Sequence, residues 1–427
     1  MIQLKGFDDM DKHFEEIARK AAGTLPGNPA ERQERLRGYI KRLSDGEPLD
    51  AVRRDFVEQF SSVSPGEIAM AEQSLIKSGV PLKEVQRLCD VHSALFHGKT
   101  EQELIESRLA AASKESTSTG YSALPAGHPI SIMLAENKGL VDFLDELENT
   151  ASNPSRCAAV FPRIMALFSH YAKKEELLMP ALYSYGVTGP SQVMWGTDDE
   201  IKRELRTIRS ALKDDAGNAV IYNGRIRAVA KRIREMAYKE EKILFPLCLR
   251  FFSDTEWFMI YGDMHEMGCA FISDLPSWEE AKRYLNDKKA MLQKDAPDDG
   301  ILHLPTGNLT VKQLRCMLKL LPIDITFIDD ADIFQFFVNE GHVFARPHSA
   351  LGREVWNCHP PEILPVVHNL VEDFKAHKRS DMEVYRWIKG RPVGVHYMAV
   401  YDEDDHYIGT MEIVQDFTNA LSHFGGK

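Results

Sequence analysis

One segment of this chain occurs twice. The first copy is His170-Tyr171-Ala172-Lys173-Lys174-Glu175-Glu176-Leu177-Leu178-Met179-Pro180, and the second is Met236-Ala237-Tyr238-Lys239-Glu240-Glu241-Lys242-Ile243-Leu244-Phe245-Pro246. A lysine, a glutamate, an apolar triplet and a proline fall in register, so one helix is built twice. The first and fifth positions lie one turn apart on the same helix face. They are His170 and Lys174 in one copy, Met236 and Glu240 in the other. A His-x-x-x-Glu pair would set an imidazole beside a carboxylate, which suits metal ligation inside a helix bundle. Each copy keeps half of that pair.

The rest of the chain divides by period. Residues 1–112 read as an N-terminal helical domain, with Arg32 to Leu43 and Glu67 to Ser78 as helices and a buried stripe at Val52, Phe56 and Phe60. Residues 113–127 are a Ser/Thr/Gly-rich linker. Residues 128–288 are helical again. Four main helices are predicted at Pro129–Glu148, Ser155–Tyr185, Asp198–Leu212 and Ile221–Phe251, the length and spacing of an up-down bundle. Pro180 and Pro246 fall inside helical runs and predict a kink or a helix end. Residues 289–308 read as a second linker, rich in Pro, Asp and Gly. From residue 309 to 424 the period becomes two, with strands at Ile323–Ile328, Met382–Ile388, Val393–Met398 and Tyr407–Val414 around a helical stretch at Pro361–His377. The fold class is therefore multidomain: an all-α N-terminal region and a four-helix bundle, followed by an α+β domain.

Charge and hydropathy exclude several roles. A net charge of −12 argues against nucleic acid or an anionic membrane as partner. No apolar run approaches the roughly 20 residues of a membrane span, and the charged start MIQLKGFDDMDKHFEE does not read as a signal peptide. Six cysteines without paired spacing predict reduced thiols and a cytoplasmic location.

His128-Pro129, the His170 segment, the run Met194-Trp195-Gly196-Thr197-Asp198-Asp199-Glu200-Ile201 and the run Lys239 to Pro246 together resemble the hemerythrin-like, or HHE cation-binding, family. The runs Leu321 to Asp329, Leu351-Gly352-Arg353, Cys358-His359-Pro360-Pro361 and Gly409 to Asp416 resemble a PAS sensory domain. The N-terminal helices, with Arg87-Leu88-Cys89-Asp90-Val91-His92, look like the uncharacterised domain that precedes this pair in many bacteria. The first resemblance implies a non-heme iron centre that binds O₂ or NO, stores iron or serves di-iron repair. Carried over, it makes His128 and His170 the ligands of the first and second helices. Lysine stands at 174 where a carboxylate is expected, with Glu175 one place on; Asp198 replaces a histidine, as does Met236, and Glu240 keeps its carboxylate.

The metal candidates are therefore His128, His170, Asp198, Glu240 and Glu175, with Glu136 as a further carboxylate. Two imidazoles with carboxylates suit Fe, Mn or Zn, in a mononuclear or dinuclear site. Glu175 lies roughly 140° around the helix from His170, so it joins such a site only through a wider turn such as a π-bulge. The alternatives are plain: His128 and Asp198 as helix N-caps, Met236 as core, and Lys174 pairing with Glu240 in a bundle without metal. Cys89 with His92, and His265 with Glu266, are weaker pairs.

In the PAS-like domain, Phe327, Phe334, Phe336, Trp356, Trp387 and Tyr397 are expected to fill the sheet and its cavity, His348, His359 and His396 are candidate heme ligands, and Cys358 is a candidate thiol. The resulting expectation is a cytoplasmic sensor or binding protein rather than an enzyme. Its bundle would bind or sense iron, O₂ or NO, and its PAS domain would bind a small ligand or relay the signal to a protein partner or through a homodimer. The rivals are a non-heme iron protein for NO or peroxide stress or di-iron repair, a metal-free adaptor, and a heme-binding PAS sensor.

Overall fold

In a computed structural model of the protein the described residues are 29–48, 51–52, 55–56, 65–82, 85, 121–150, 153–215, 217–295, 300–340, 343–344, 346–359, 363–388 and 390–424. The chain divides into two compact units, Met1–Trp257 with Met264–Trp278, and Phe258–Asp263 with Glu279–Lys427.

The first unit is helical. Helices α1 (Pro29–Ser44) and α2 (Pro65–Lys77) pack around Tyr39, Val52, Phe56, Ala71 and Leu75, with Val193 in the same cluster. Phe60 lies outside the described residues. The bundle has four limbs. The first is α3 (Pro129–Asn149), opened by His128 as N-cap and Pro129 in the first turn. The second runs through α4 (Pro154–Val160), a 3₁₀ turn (Phe161–Ala166), α5 (Leu167–Lys173), a π-helical turn (Lys174–Leu178) and α6 (Met179–Ser184). The third is α7 (Gly189–Asp214). The fourth is α8 (Asn218–Lys239), a second π-helical turn (Glu240–Leu244) and α9 (Phe245–Phe251).

Both copies of the repeat thus carry a π-turn at the same place, where the sequence predicts a kink or a stop. The cause is the proline two residues after each turn. It has no N–H, and its ring crowds the carbonyl one turn back, so the helix widens before it. The Met179 N–H then bonds to Lys174 O, and the Phe245 N–H to Glu240 O, each five residues back.

Helix α7 begins nine residues before the predicted Asp198 start, because Gly189-Pro190 opens it and Gly196 is carried within it. Burial of Val193, Met194 and Trp195 outweighs the roughly 1 kcal/mol that an interior glycine costs a helix. Asp198 is consequently a mid-helix residue and not an N-cap.

Helices α10 (Asp254–Met267) and α11 (Glu279–Asp295) follow; α10 opens with a capping box between Ser253 and Glu256 and gives Phe258–Asp263 to the second unit. Among the described residues no helix is long and apolar enough to cross a membrane.

In the second unit the segment read as a linker holds a hairpin, β1 (Ile301–Leu304) and β2 (Gly307–Thr310), leading into α12 (Val311–Leu318). Its strands are four residues each, too short for their alternation to stand out from the surrounding Pro and Gly. The α+β domain proper consists of β3 (Ile323–Asp329), β4 (Phe334–Asn339), α13 (Leu364–Lys375), β5 (Asp381–Ile388), β6 (Arg391–Tyr401), β7 (Tyr407–Asp416) and α14 (Thr418–Phe424). The sheet is antiparallel in the order β4-β3-β7-β6-β5. Strand β4 escapes the sequence reading because it is an edge strand with a bulge opposite Phe327 and Ile328, which breaks its alternation. Of the aromatics expected in the core, Phe334 is buried, whereas Phe336 and Trp387 on the two edge strands are exposed. The carboxylate of Asp263 accepts hydrogen bonds from the backbone N–H groups of His348 (2.8 Å) and Ser349 (2.9 Å).

Candidate functional site in the helical bundle

Eight charged side chains from all four limbs meet inside the bundle. His170, Lys173 and Lys174 occupy positions i, i+3 and i+4, one face of the second limb, and all are fully buried. Glu136 comes from α3, Asp198 and Lys202 from α7, and Glu240 from the second π-turn.

The imidazole lies between two carboxylates: His170 Nδ1 is 2.8 Å from Glu136 Oε2, and Nε2 is 3.1 Å from Glu240 Oε2. Lys173 Nζ donates to Glu136 Oε1, which also accepts the Ala270 N–H at 2.8 Å. Lys174 Nζ lies 2.5 Å from Glu240 Oε1 and 3.1 and 2.9 Å from the two Asp198 oxygens. The same ammonium stands 4.2 Å from the centre of the Tyr171 ring, a cation–π contact. Glu175 is turned to Lys202, whose Nζ is 2.6 Å from both of its oxygens.

Burial opposes the charged forms of His170, Glu240, Glu136, Lys174, Asp198 and Glu175, and the partners outweigh it at the first four. Burial pulls the His170 imidazole down, but Glu240 and Glu136 overcome it and bring it up to about 9. Burial pushes the Glu240 carboxyl up, and Lys174 with His170 reverse this and hold it at about 2. Glu136 is lowered in the same way by His170 and Lys173. Burial works against the Lys174 ammonium, yet Asp198 and Glu240 raise it. For Asp198 burial wins against the pull of Lys174, so its carboxyl lies well above the ordinary range, and Glu175 is raised for the same reason despite Lys202.

The structure therefore brings His170, Glu240 and Asp198 together and gives Glu175 and His128 other surroundings. The wider turn that Glu175 needed is present, yet its carboxylate faces Lys202. His128 is the N-cap of α3: its Nδ1 accepts the Ile130 N–H at 3.1 Å, and its ring packs against Trp257 and Trp278 at centroid distances of 4.6 and 5.0 Å. Burial lowers its imidazole to about 4, so it is neutral. Met236 is buried in the core. Cys89 and His92 lie outside the described residues, as does the side chain of Cys358.

Glu136 carries no local signal tying it to His170, from which it is separated by 34 residues. Lys173 and Lys202 were not among the sequence candidates; the only local signals for them are a second lysine beside Lys174 and a lysine one turn after Asp198.

The donor set does not fit an iron centre as it stands. Carboxylates only accept hydrogen bonds, so a histidine with a carboxylate at each nitrogen carries both protons and offers a metal no lone pair. Glu240 and Asp198 are already joined by an ammonium. Among the described residues no group of three or more His, Cys, Asp and Glu side chains converges as a metal site. What the arrangement does chemically is hold charge: four cations and four carboxylates, balanced when all are ionised.

Residues 128–248 match the hemerythrin HHE cation binding domain, residues 314–418 a PAS domain, and residues 36–107 a family of unknown function, DUF438. Among solved structures, the chain is similar to a C-terminal domain from Streptococcus mutans (31% identity, TM-score 0.28, covering 30% of this chain and 99% of that one). It is also similar to a PAS domain from Colwellia psychrerythraea (15% identity, TM-score 0.21, covering 26% of this chain and 98% of that one). No curated protein matches it.

Proposed function

We propose that this chain, which joins a DUF438 region, a hemerythrin HHE domain and a PAS domain, is a signalling protein that reads a small polar ligand inside its PAS domain and carries out no redox chemistry in its bundle. The observation that carries this reading is a row of polar groups across the inner face of the sheet. Thr326, Glu412 and Tyr397 are register partners on β3, β7 and β6. Arg346 reaches into the row: its Nε donates to Thr326 Oγ1 at 3.1 Å and its Nη2 to Glu412 Oε1. Burial and then Glu412 push the Tyr397 phenol up.

His359 lies within electrostatic reach of Glu412 and Arg346, and burial lowers its imidazole. Its Nδ1–H donates to Val355 O at 2.8 Å, which leaves Nε2 as an acceptor. Thr326 is buried and the other groups of the row are half-buried, and an arginine–glutamate pair flanked by hydroxyls suits a small molecule bearing both a carboxylate and a hydrogen-bonding group.

Of the three candidate heme ligands only His359 feels the charges of this row. His396 lies on the opposite face, 3.6 Å from Asp381 and 3.7 Å from Glu383, and His348 packs against Phe337. An iron bundle sensing O₂ or NO, or serving NO or peroxide stress or di-iron repair, draws support from the HHE resemblance alone, and the occupied donor set weighs against it.

The test is native mass spectrometry and absorption spectroscopy of the protein as purified, followed by thermal shifts with a panel of small organic acids. A co-purifying acid, or a Tm increase lost in Arg346→Met and Glu412→Gln, supports the reading. A Soret band lost in His359→Ala would replace it with heme. No bound molecule and no shift would remove it.

A further inference from the structure

We propose that the ammonium of Lys174 is the resident cation of this bundle, standing between carboxylates of the third and fourth limbs, so that the folded core needs no metal ion.

The geometry is that of a cation site. Glu240 comes from one limb and Asp198 from another, and Lys174 Nζ reaches both at 2.5 to 3.1 Å. The Tyr171 ring closes the ammonium from a third side. Nothing in this shell is solvent-exposed: Lys174, Asp198, Glu240 and Tyr171 are all buried.

Two carboxylates without a cation would repel each other in a low dielectric, and a buried carboxylate is strongly disfavoured unless paired. Either one of them keeps its proton or something positive stands between them. In this sequence the positive charge is supplied in cis, one helical turn after His170, and a metal ion could enter only if the lysine left. The neighbouring groups repeat the pattern. Lys173 answers Glu136, and Lys202 answers Glu175. His170, with a carboxylate at each nitrogen, adds a further proton-borne charge. Every carboxylate in the network therefore has a protein cation beside it, and none is left over for a metal.

The experiment uses the full chain, produced with ferrous iron in the medium and purified without oxygen. Fe, Mn and Zn are counted by mass spectrometry, and Tm is measured before and after dialysis against EDTA and after adding Fe(II), Mn(II) or Zn(II). The expected result is no stoichiometric metal and a Tm that neither chelation nor metal moves. One metal per chain, or a Tm that falls on chelation, overturns the proposal.

Lys174→Met supplies the second arm. It is expected to lower Tm and to make Tm rise with added divalent cation, which the wild type does not show; a variant as stable as wild type and indifferent to cations overturns the proposal. If Lys174→Met does not fold, Lys174→Met/Glu240→Gln is compared with Glu240→Gln alone. Recovery in the double variant supports the pairing, and additive losses overturn it. These readouts do not depend on the PAS ligand.

Discussion

Lys174 and Glu240 hold the same position in the two copies of the repeat, and the fold sets the ammonium of one 2.5 Å from the carboxylate of the other. Equivalent positions of two like helices meet across the bundle. Had both kept glutamate, two carboxylates would face one another and need an added cation or a shared proton. With lysine in one copy the pair neutralises itself. The asymmetry between the copies is what makes a self-contained core.

Glu240→Gln should therefore be among the most damaging single changes. It leaves Lys174 and His170 short of an anion in a fully buried site. Removing one member of a buried pair typically costs about 3–5 kcal/mol, and a loss of that order is expected in urea unfolding at neutral pH. Lys202→Ala, whose pair with Glu175 retains some solvent access, should lose less. A loss in Glu240→Gln below about 1 kcal/mol, the range of surface pairs, would mean the network is not desolvated in solution.

His128 gives the bundle an acid-labile joint. Burial lowers its imidazole from 6.5 to about 4. A depressed pKa means the unfolded chain takes up the proton first, so stability is complete above about 6.5 and drains away as pH falls towards about 4. The shift corresponds to about 3 kcal/mol at most. His128→Asn keeps an acceptor for the Ile130 N–H but does not titrate there. Thermal melts from neutral to acid pH should show the wild type losing its advantage over the variant across that window. His170 runs the other way: its pKa is raised to about 9, so its contribution is present below the unfolded value and lost as pH rises through the folded one. Parallel pH profiles for wild type and His128→Asn would place the acid sensitivity elsewhere.

The two copies, the bundle and the period change to strands were legible because each is a local pattern. His170, Glu240 and the chance of a Lys174 pair were marked by helical spacing and the in-register repeat, whereas Asp198 was marked only by the family resemblance. Glu136 was weakly marked, because its partner is 34 residues away and only packing joins them. The extension of α7 back to Gly189 was missed because Gly196 reads as a break, and only the burial around it shows otherwise. The edge strand β4 and the hairpin β1–β2 were too short or irregular for period to reveal. His128 was read from a helix start that serves ligation and capping alike, and Trp257 and Trp278, which enclose it, are distant in sequence.

The docking of α2 on the bundle rests on a missing side chain. Gly189 opens α7, and a Cβ there would lie 2.8 Å from Gln73 N and 3.0 Å from Ala69 O, both backbone atoms of α2 that cannot move aside alone. Gln73 is buried and clamps the same turn: its Nε2 donates to Gly186 O at 3.2 Å, and its Oε1 accepts the Thr188 N–H at 3.3 Å. Gly189→Ala should push α2 off this turn at a cost of about 1–3 kcal/mol, as overpacking does. The change belongs to one end of the bundle, so its signature is local. Hydrogen exchange of the α2 amides should quicken, while amides in the middle of α3 keep their protection. Gln73→Ala should quicken the same amides to a lesser degree, because it removes two hydrogen bonds without forcing the backbones apart. Unchanged α2 exchange in Gly189→Ala would show that the close approach at this glycine does not hold the helix in place.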